Sequence, residues 1–98
     1  MHECAYRQAV EVEWDHRKAV ANLRKHGVDF ADAAEALYDN LAVTVPDDDP
    51  DDDRFITIGI DPVGRLLVVV YTWRGGRARL ISARRATRRE RRHYEEGR

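Results

Sequence analysis

The sequence predicts an α+β fold in which a mainly antiparallel sheet is packed by two helices and followed by a short basic helix. Residues 66–73 form an unbroken apolar, aromatic and β-branched run, which is typical of a central strand buried on both faces. The turn sequences at 61–64 and 75–76 predict antiparallel neighbours on both sides of this strand. Two helical patterns precede it. The predicted order is β-α-α-β-β-β-β-α, in a single domain over residues 1–98.

The first predicted element is an edge strand over residues 10–14. Apolar and acidic residues alternate strictly there, so Val10, Val12 and Trp14 are expected to point inward. The acidic outer face favours an edge position, because charged side chains discourage pairing between sheet edges. Residues 1–8 lack any periodicity and are expected to fray.

Two helices are predicted next, each with a capping residue at its N-terminus. Asp15 is expected to cap a helix that runs to about His26, where Gly27 can adopt the left-handed conformation that ends helices. The predicted inward stripe of this helix comprises Ala19, Val20 and Leu23. Asp29 can cap the second helix, which is expected to pack beside the first on the sheet. The apolar face of the second helix comprises Phe30, Ala33, Ala34, Leu37 and Tyr38.

The second half of the chain consists mainly of strands. Strands are predicted over residues 41–45, where Pro46 ends the strand, and over residues 55–60. A further strand is predicted over residues 79–84, directly after the central one. Between the first two lies the segment 47–53, in which six aspartates surround one proline. Because this loop lacks the turn glycine and the distal glutamate of a calcium-binding EF-hand loop, it is predicted to be solvated and self-repelling.

The turn at 75–76 also predicts which side chains share a face of the sheet. A two-residue turn there would place Tyr71, Ser82 and Arg84 on one face. Arg79 would then lie on the opposite face. Both faces are apolar enough to be covered, so the sequence leaves open which one carries the helices.

The last predicted element is a short basic helix. Thr87 and Glu90 have the spacing of a capping box, and Tyr94 is the main apolar anchor. A helix of this length is marginal alone and must dock to stay formed. Residues 74–98 carry ten arginines and three glutamates, a net charge of +7, whereas residues 1–73 carry a net charge of −8. This asymmetry favours an anionic partner, and an exposed charged tail is the alternative.

Composition argues against several kinds of site and location. No run approaches the roughly 20 apolar residues of a membrane span, and charged residues occupy the N-terminal stretch, so we expect a cytoplasmic protein. Cys4 is the only cysteine, which excludes an internal disulfide and a thiolate metal site. His2, His16 and His93 do not have the spacing of metal ligands. We expect neither a metal ion nor a cofactor.

Two groups of residues resemble the signature of the BrnT toxins, the ribonuclease halves of bacterial type II toxin-antitoxin pairs. The first group comprises Trp14-Asp15, Lys18, Asn22, Lys25-His26-Gly27-Val28 and Phe30. The second comprises Arg54, Ile58-Gly59, the runs 65–72 and 81–84, Ala86, Glu90 and Tyr94. The chain departs from the pattern at Trp73, where the family often has an acidic residue, and at Asn40, where it often has proline. The resemblance covers about residues 10–96. It implies a fold similar to that of the RelE toxins, cleavage of messenger RNA, and inhibition in a hetero-oligomer by a ribbon-helix-helix antitoxin of the BrnA type.

The sequence offers five candidate catalytic residues for such a reaction. Cleavage of RNA by its own 2′-hydroxyl needs a proton acceptor, cations for the phosphate oxygens and a proton for the leaving 5′-oxygen, and it needs no metal ion. Arg79 and Arg84 are candidates for binding the scissile phosphate, because a guanidinium group binds phosphate through two hydrogen bonds. His26 and Lys25 are candidates for proton transfer, because histidine ordinarily titrates near neutrality and a desolvated lysine can act as a base. Ser82 is the fifth candidate catalytic residue.

The further candidates for RNA binding are Lys18, Trp73, Arg74, Arg85, Arg88, Arg89 and Tyr94. Several of the candidates have a structural alternative. His26 can interact with the C-terminus of its helix, Ser82 can bond to backbone, and Arg84 can pair with an acidic residue. Tyr94 can anchor its helix, and Trp73 can lie in the core or in a partner interface. For the whole chain, the alternative to an endoribonuclease is a non-catalytic nucleic-acid-binding or protein-interaction module.

Overall fold

The computed structural model describes residues 11–47 and 53–96. Its strands are β1 Glu11–Glu13, β2 Val43–Pro46, β3 Arg54–Ile60, β4 Leu66–Arg74 and β5 Arg77–Arg85. Its helices are α1 His16–His26, α2 Phe30–Ala36 and α3 Arg88–Glu96. Their order along the chain confirms the predicted α+β fold. The predictions for residues 1–8 and for most of the loop 47–53 lie outside the described residues.

The sheet has five strands in the order β1-β5-β4-β3-β2, so β4 is the central strand, as predicted. It pairs antiparallel with both β3 and β5. Gly75 and Gly76 have φ angles of 56° and 81°, which allow the tight turn between β4 and β5. β1 lies at the edge and pairs parallel with β5 over residues 77–79 alone. In the described part of the chain, the C-terminal half of β5 therefore has no neighbouring strand on that side.

Both faces of the sheet are covered. On one face, α1 and α2 pack on the sheet through an apolar cluster that includes Phe30, Leu67 and Leu80. On the other face, α3 packs through Tyr94, which contacts a second cluster around Val68. Removing this apolar surface from water is the dominant favourable contribution to folding.

The boundaries of α1 and α2 follow the local signals in the sequence. Asp15 accepts a hydrogen bond from the Arg17 amide at 2.9 Å, which confirms the first predicted N-cap. Asp29 caps α2 in the same way, through the Ala31 amide at 3.0 Å. Gly27 ends α1 in the left-handed conformation, with a φ of 71°, as predicted. None of the helices in the described part of the chain is long and apolar enough to cross a membrane.

The face that α1 turns to the sheet differs from the prediction. Val20 and Leu23, expected inward, are 41% and 49% exposed, whereas Asn22 is only 6% exposed and Ala19 packs on the core. α1 lies along β5 near the edge of the sheet. At the edge, the sheet covers only one side of the helix. Positions 19 and 22 lie on that side and face the sheet, whereas Val20 and Leu23 lie beside it and remain exposed.

α2 ends two residues before the last position of its predicted apolar face. Ala36 is its last residue and is buried, whereas Tyr38, expected on the inward face, lies beyond the helix and is exposed. The C-terminus of α2 rests directly on β3, where the Ala36 carbonyl oxygen occupies the space that a side chain on Gly59 would need. Gly59 therefore allows a close approach between helix and sheet that no other residue permits.

β5 contains a β-bulge that the sequence did not reveal. Tyr71 of β4 pairs with Leu80, as the turn predicts, but Val70 pairs with Ser82. Ile81 is therefore an extra residue without a partner of its own on β4. A bulge of this kind shifts the register by one residue and re-aims the side chains that follow it.

The bulge corrects the predicted assignment of side chains to sheet faces. Ser82 and Arg84 were expected to share the face of Tyr71, and this prediction is wrong, because the extra residue moves both to the face opposite α1 and α2. Arg79, which lies before the bulge, is on that opposite face as predicted. The three β5 candidates therefore follow one another along a single face of the strand, the one on which α3 packs.

Candidate functional site

A groove of about 310 Å³ lies between α1 and the open edge of β5. It forms because β1 stops at Glu13, opposite Arg79, and leaves the next part of β5 facing the side of α1. Its lining residues are Lys18, Ala21, Asn22, Lys25 and His26 from α1, with Ile81 and Ser82 from β5. Among the described residues that line it, none is acidic. A groove with this uncompensated positive charge favours an anionic ligand.

The cations of the groove come from one stripe of α1. Lys18, Asn22 and Lys25 follow at intervals of four and three residues and so lie on one side of the helix. His26 is the last residue of α1, since Gly27 ends the helix and its amide donates to the Leu23 carbonyl at 2.8 Å. Lys25 lies in the same last turn, where the C-terminal end of a helix stabilises positive charge.

Asn22 joins this stripe to β5. Its side-chain amide donates to the Ala83 carbonyl at 2.8 Å, and its carbonyl oxygen accepts from the Ala83 amide at 3.0 Å. The same amide group donates to the Val28 carbonyl at 3.0 Å. Sequence reasoning assigned Asn22 no function. The signal that could have found it is a polar side chain on the inward side of an amphipathic helix, which must be hydrogen-bonded if buried.

On the opposite face, Arg84 forms a bidentate ion pair with Glu90 of α3. Arg84 Nη1 and Nη2 lie 2.8 and 2.7 Å from the two Glu90 carboxylate oxygens. The hydrogen bond from Arg84 and those from the Thr87 backbone and side chain lower the pKa of Glu90 to about 2, against the opposing effect of burial. The same hydrogen bond raises the pKa of Arg84. Thr87 and Glu90 also form the predicted capping box.

Arg77 and Arg79 are paired in a similar way with the acidic residues of β1. Arg77 Nε lies 3.0 Å from a Glu11 carboxylate oxygen, and Arg79 Nη1 lies 3.1 Å from a carboxylate oxygen of Glu13. Together with Arg84, this face of β5 therefore presents three arginines that are each neutralised by a glutamate of a neighbouring element.

The ion pair of Glu90 predicts a dependence of stability on pH. Because the pKa of Glu90 is lower in the folded chain than its usual 4.5, the stabilisation is fully present above that pH and is lost as the pH falls through about 2. Between about pH 5 and pH 2, wild type is expected to lose about 1 kcal/mol more unfolding free energy than Glu90→Gln. The difference is this small because the ion pair is partly exposed and solvent screens it. Urea unfolding at both pH values measures this.

Glu95→Gln, at an exposed position of the same helix, is the matched control and should keep the pH dependence of wild type. If Glu90→Gln and wild type lose stability in parallel, the pair does not stabilise the docked helix.

Comparison with known proteins identifies the family. The model of a family described as the ribonuclease toxin BrnT of type II toxin-antitoxin systems matches residues 14–90. The chain belongs to the BrnT family. It is also similar to the crystal structure of the ribonuclease toxin BrnT of Brucella abortus, with 29% sequence identity and a TM-score of 0.65. That match covers 81% of this chain and 99% of the Brucella chain. A comparison with curated proteins finds no match.

The resemblance found in the sequence is thus confirmed, and BrnT membership makes the chain a ribonuclease toxin of a type II toxin-antitoxin pair. In this BrnT chain, the candidate catalytic residues divide between two places. Lys25, His26 and Ser82 line the groove, together with Lys18 from the RNA-binding candidates. Arg79 and Arg84 are not among the lining residues. Ser82 links the two places, because it lines the groove and also lies between the two arginines on β5.

The other RNA-binding candidates of this BrnT chain lie mostly on the surface. The exposed arginines among them are Arg74, Arg85, Arg88 and Arg89. Trp73 is 43% exposed and makes an edge-to-face contact with Tyr71, with ring centroids 5.9 Å apart. Tyr94 is 4% exposed, and its hydroxyl donates to a carboxylate oxygen of Asp39 at 2.7 Å. A ring so deeply buried offers no face for stacking on a base, so the structure agrees with the anchoring alternative for Tyr94.

No group of three or more histidine, cysteine, aspartate and glutamate side chains suited to a metal ion occurs within residues 11–47 and 53–96.

Proposed function

We propose that the chain is an endoribonuclease that cleaves messenger RNA without a metal ion, and that the groove between α1 and β5 is its active site. One observation carries this proposal: the fold brings Lys25 and His26, near the start of the chain, into the same groove as Ser82 of β5. Membership of a ribonuclease family supports the same assignment.

In the proposed reaction, the 2′-hydroxyl of a nucleotide attacks the adjacent phosphate. The bond from the 2′-oxygen to phosphorus forms and the bond to the 5′-oxygen breaks, which leaves a 2′,3′-cyclic phosphate and a 5′-hydroxyl. His26, with Lys25, removes the proton from the 2′-hydroxyl and delivers a proton to the leaving oxygen. Lys18 holds the phosphate oxygens, and Ser82 donates a hydrogen bond to the charge that develops on them.

The arginine face of β5 extends this binding surface to neighbouring phosphates. A phosphate that reaches Arg84 must replace Glu90, and one that reaches Arg79 must replace Glu13, because both guanidinium groups are already paired. Because neither arginine lines the groove, their role in this proposal is to bind the flanking chain and not the scissile phosphate. The exposed arginines of α3 add a favourable long-range field for the RNA.

The partner in this proposal is an antitoxin of the BrnA type, with a ribbon-helix-helix fold, that inhibits the toxin in a hetero-oligomer. Family membership implies an antitoxin in general. A partner that brings carboxylates to the lysines of the groove would block the site by charge as well as by shape. Toxin and antitoxin would act in the cytoplasm, where messenger RNA is translated.

The test is incubation of the purified, partner-free chain with a defined RNA in excess EDTA, alone and in a translating extract, with the ends of the fragments identified. We expect fragments with 2′,3′-cyclic phosphate ends. The matched substrate carries 2′-deoxynucleotides at the cleaved positions and should remain intact. Cleavage that EDTA abolishes would contradict the metal-independent reaction.

The remaining outcomes select the alternatives. RNA that is bound with a steep salt dependence but remains intact in both settings would identify a non-catalytic nucleic-acid-binding module. Absence of both binding and cleavage would identify a protein-interaction module.

A further inference from the structure

We propose that Asn22 is the positioning residue of the groove, holding the cationic stripe of α1 in register with the stretch of β5 that carries Ser82. This role rests on the proposed function, because it concerns the same site. Asn22 would not touch the RNA itself. Its side chain would position the catalytic groups by bonding the backbone segments that carry them.

The contacts of Asn22 are directional and buried. Its side-chain amide bonds both backbone groups of Ala83, as a residue of a neighbouring strand would. Ala83 follows Ser82 directly. Lys18 lies four residues before Asn22 on the helix and Lys25 three residues after it, so all three share one side of α1.

A third contact fixes the end of the helix that carries His26. The same amide group donates to the Val28 carbonyl, two residues beyond His26, at 3.0 Å. Asn22 thereby connects three parts of the groove: the middle of α1, the turn that ends α1, and the bulged stretch of β5.

Few other contacts could set this register. β1 ends opposite Arg79, so in the described residues no strand pairs with β5 beside Ala83 on this edge. The apolar side chains Val20 and Leu23 of α1 point away from the core and are exposed. Apolar packing is also non-directional, whereas hydrogen bonds of 2.8 to 3.0 Å fix the position of α1 along β5 closely.

The test compares Asn22→Ala and Asn22→Gln with Thr57→Val. Thr57 is the matched control because it is also a buried polar residue and bonds the hydroxyls of Thr44 and Tyr71 at 2.8 Å, away from the groove. Glutamine keeps the amide but adds one methylene, which displaces the catalytic stripe while preserving hydrogen-bonding chemistry. We expect kcat per folded molecule to fall about 10²-fold in both Asn22 variants, as for a misplacement of about 1 Å, with KM nearly unchanged.

Thr57→Val should lose stability but keep the wild-type kcat. Hydrogen exchange in Asn22→Ala gives a readout that does not depend on activity: the Ala83 amide should lose protection while that of Ala78, which lies opposite β1, keeps it.

The outcomes separate the two proposals. If wild type and Thr57→Val cleave RNA and a folded Asn22 variant keeps the wild-type kcat, the positioning role is overturned and the proposed function stands. If wild type does not cleave RNA, the proposed function fails whatever Asn22 does. If neither Asn22 variant folds although Thr57→Val does, Asn22 maintains the fold as a whole, and its role as a positioning residue is overturned.

Discussion

Replacement of His26 by alanine is expected to lower kcat for RNA cleavage by about 10²- to 10⁴-fold, the range found when a positioned acid-base group is removed. His26 lines the groove next to Lys25 and across from Ser82. Histidine is the side chain that can both accept and donate a proton near neutral pH, which the proposed reaction requires at two steps. Cleavage kinetics under saturating RNA measure the loss, and urea unfolding shows whether the variant remains folded.

The matched control is Arg24→Ala. Arg24 lies in the last turn of α1, like His26, but it is exposed and does not line the groove. Because both residues lie in this last turn, both substitutions should cost a similar small amount of stability. Only His26→Ala should lose cleavage. Equal kcat values for the two variants would mean that His26 serves the helix alone and would remove it from the mechanism.

Gly59→Ala is expected to destabilise the fold by about 3 kcal/mol or to prevent folding, the upper range for overpacking a core. A methyl group on Gly59 would overlap the Ala36 carbonyl oxygen and would also touch Ala42. The clash is with backbone, which cannot rotate away as a flexible side chain can, so α2 must move off the sheet. The decrease in unfolding free energy, measured with urea, checks this.

Gly27→Ala provides the control for Gly59→Ala. Nothing lies within 4 Å of a side chain added at Gly27. The substitution therefore costs only the strain of alanine in the left-handed conformation, about 1 kcal/mol. A Gly59→Ala variant no less stable than Gly27→Ala would show that α2 and β3 can separate without loss.

Much of the fold follows from interactions over a few residues, and these could be predicted from the sequence. Asp15 caps α1 through an amide two residues away, and Gly27 ends the same helix through its own backbone conformation. The hairpin between β4 and β5 depends on two adjacent glycines. Each signal and its effect lie within a single turn, so no knowledge of the tertiary structure was needed.

The candidate site could be predicted only in part. Lys25, His26 and Ser82 were selected by chemistry and by resemblance, and the fold brings them into one groove. Arg84 was expected to share a face with Tyr71, but the bulge at Ile81 places it on the other face, where it pairs with Glu90. A bulge depends on how two strands and their neighbours pack, and no local signal in the sequence around Ile81 predicts one.

The sequence by itself determined the type and order of the elements, the central position of β4, the basic C-terminal end and the family. The elements and the charge are carried by hydrophobic periodicity, local capping and composition, which act along the chain, whereas the family follows from the resemblance of individual residues to its signature. Only the tertiary structure decided which side chains of β5 face which helix, which arginines are neutralised, and that Asn22 bonds Ala83, 61 residues away. The reason is physical: such contacts depend on two distant segments meeting at a definite register, and that register is set by the packing of the whole sheet and its helices.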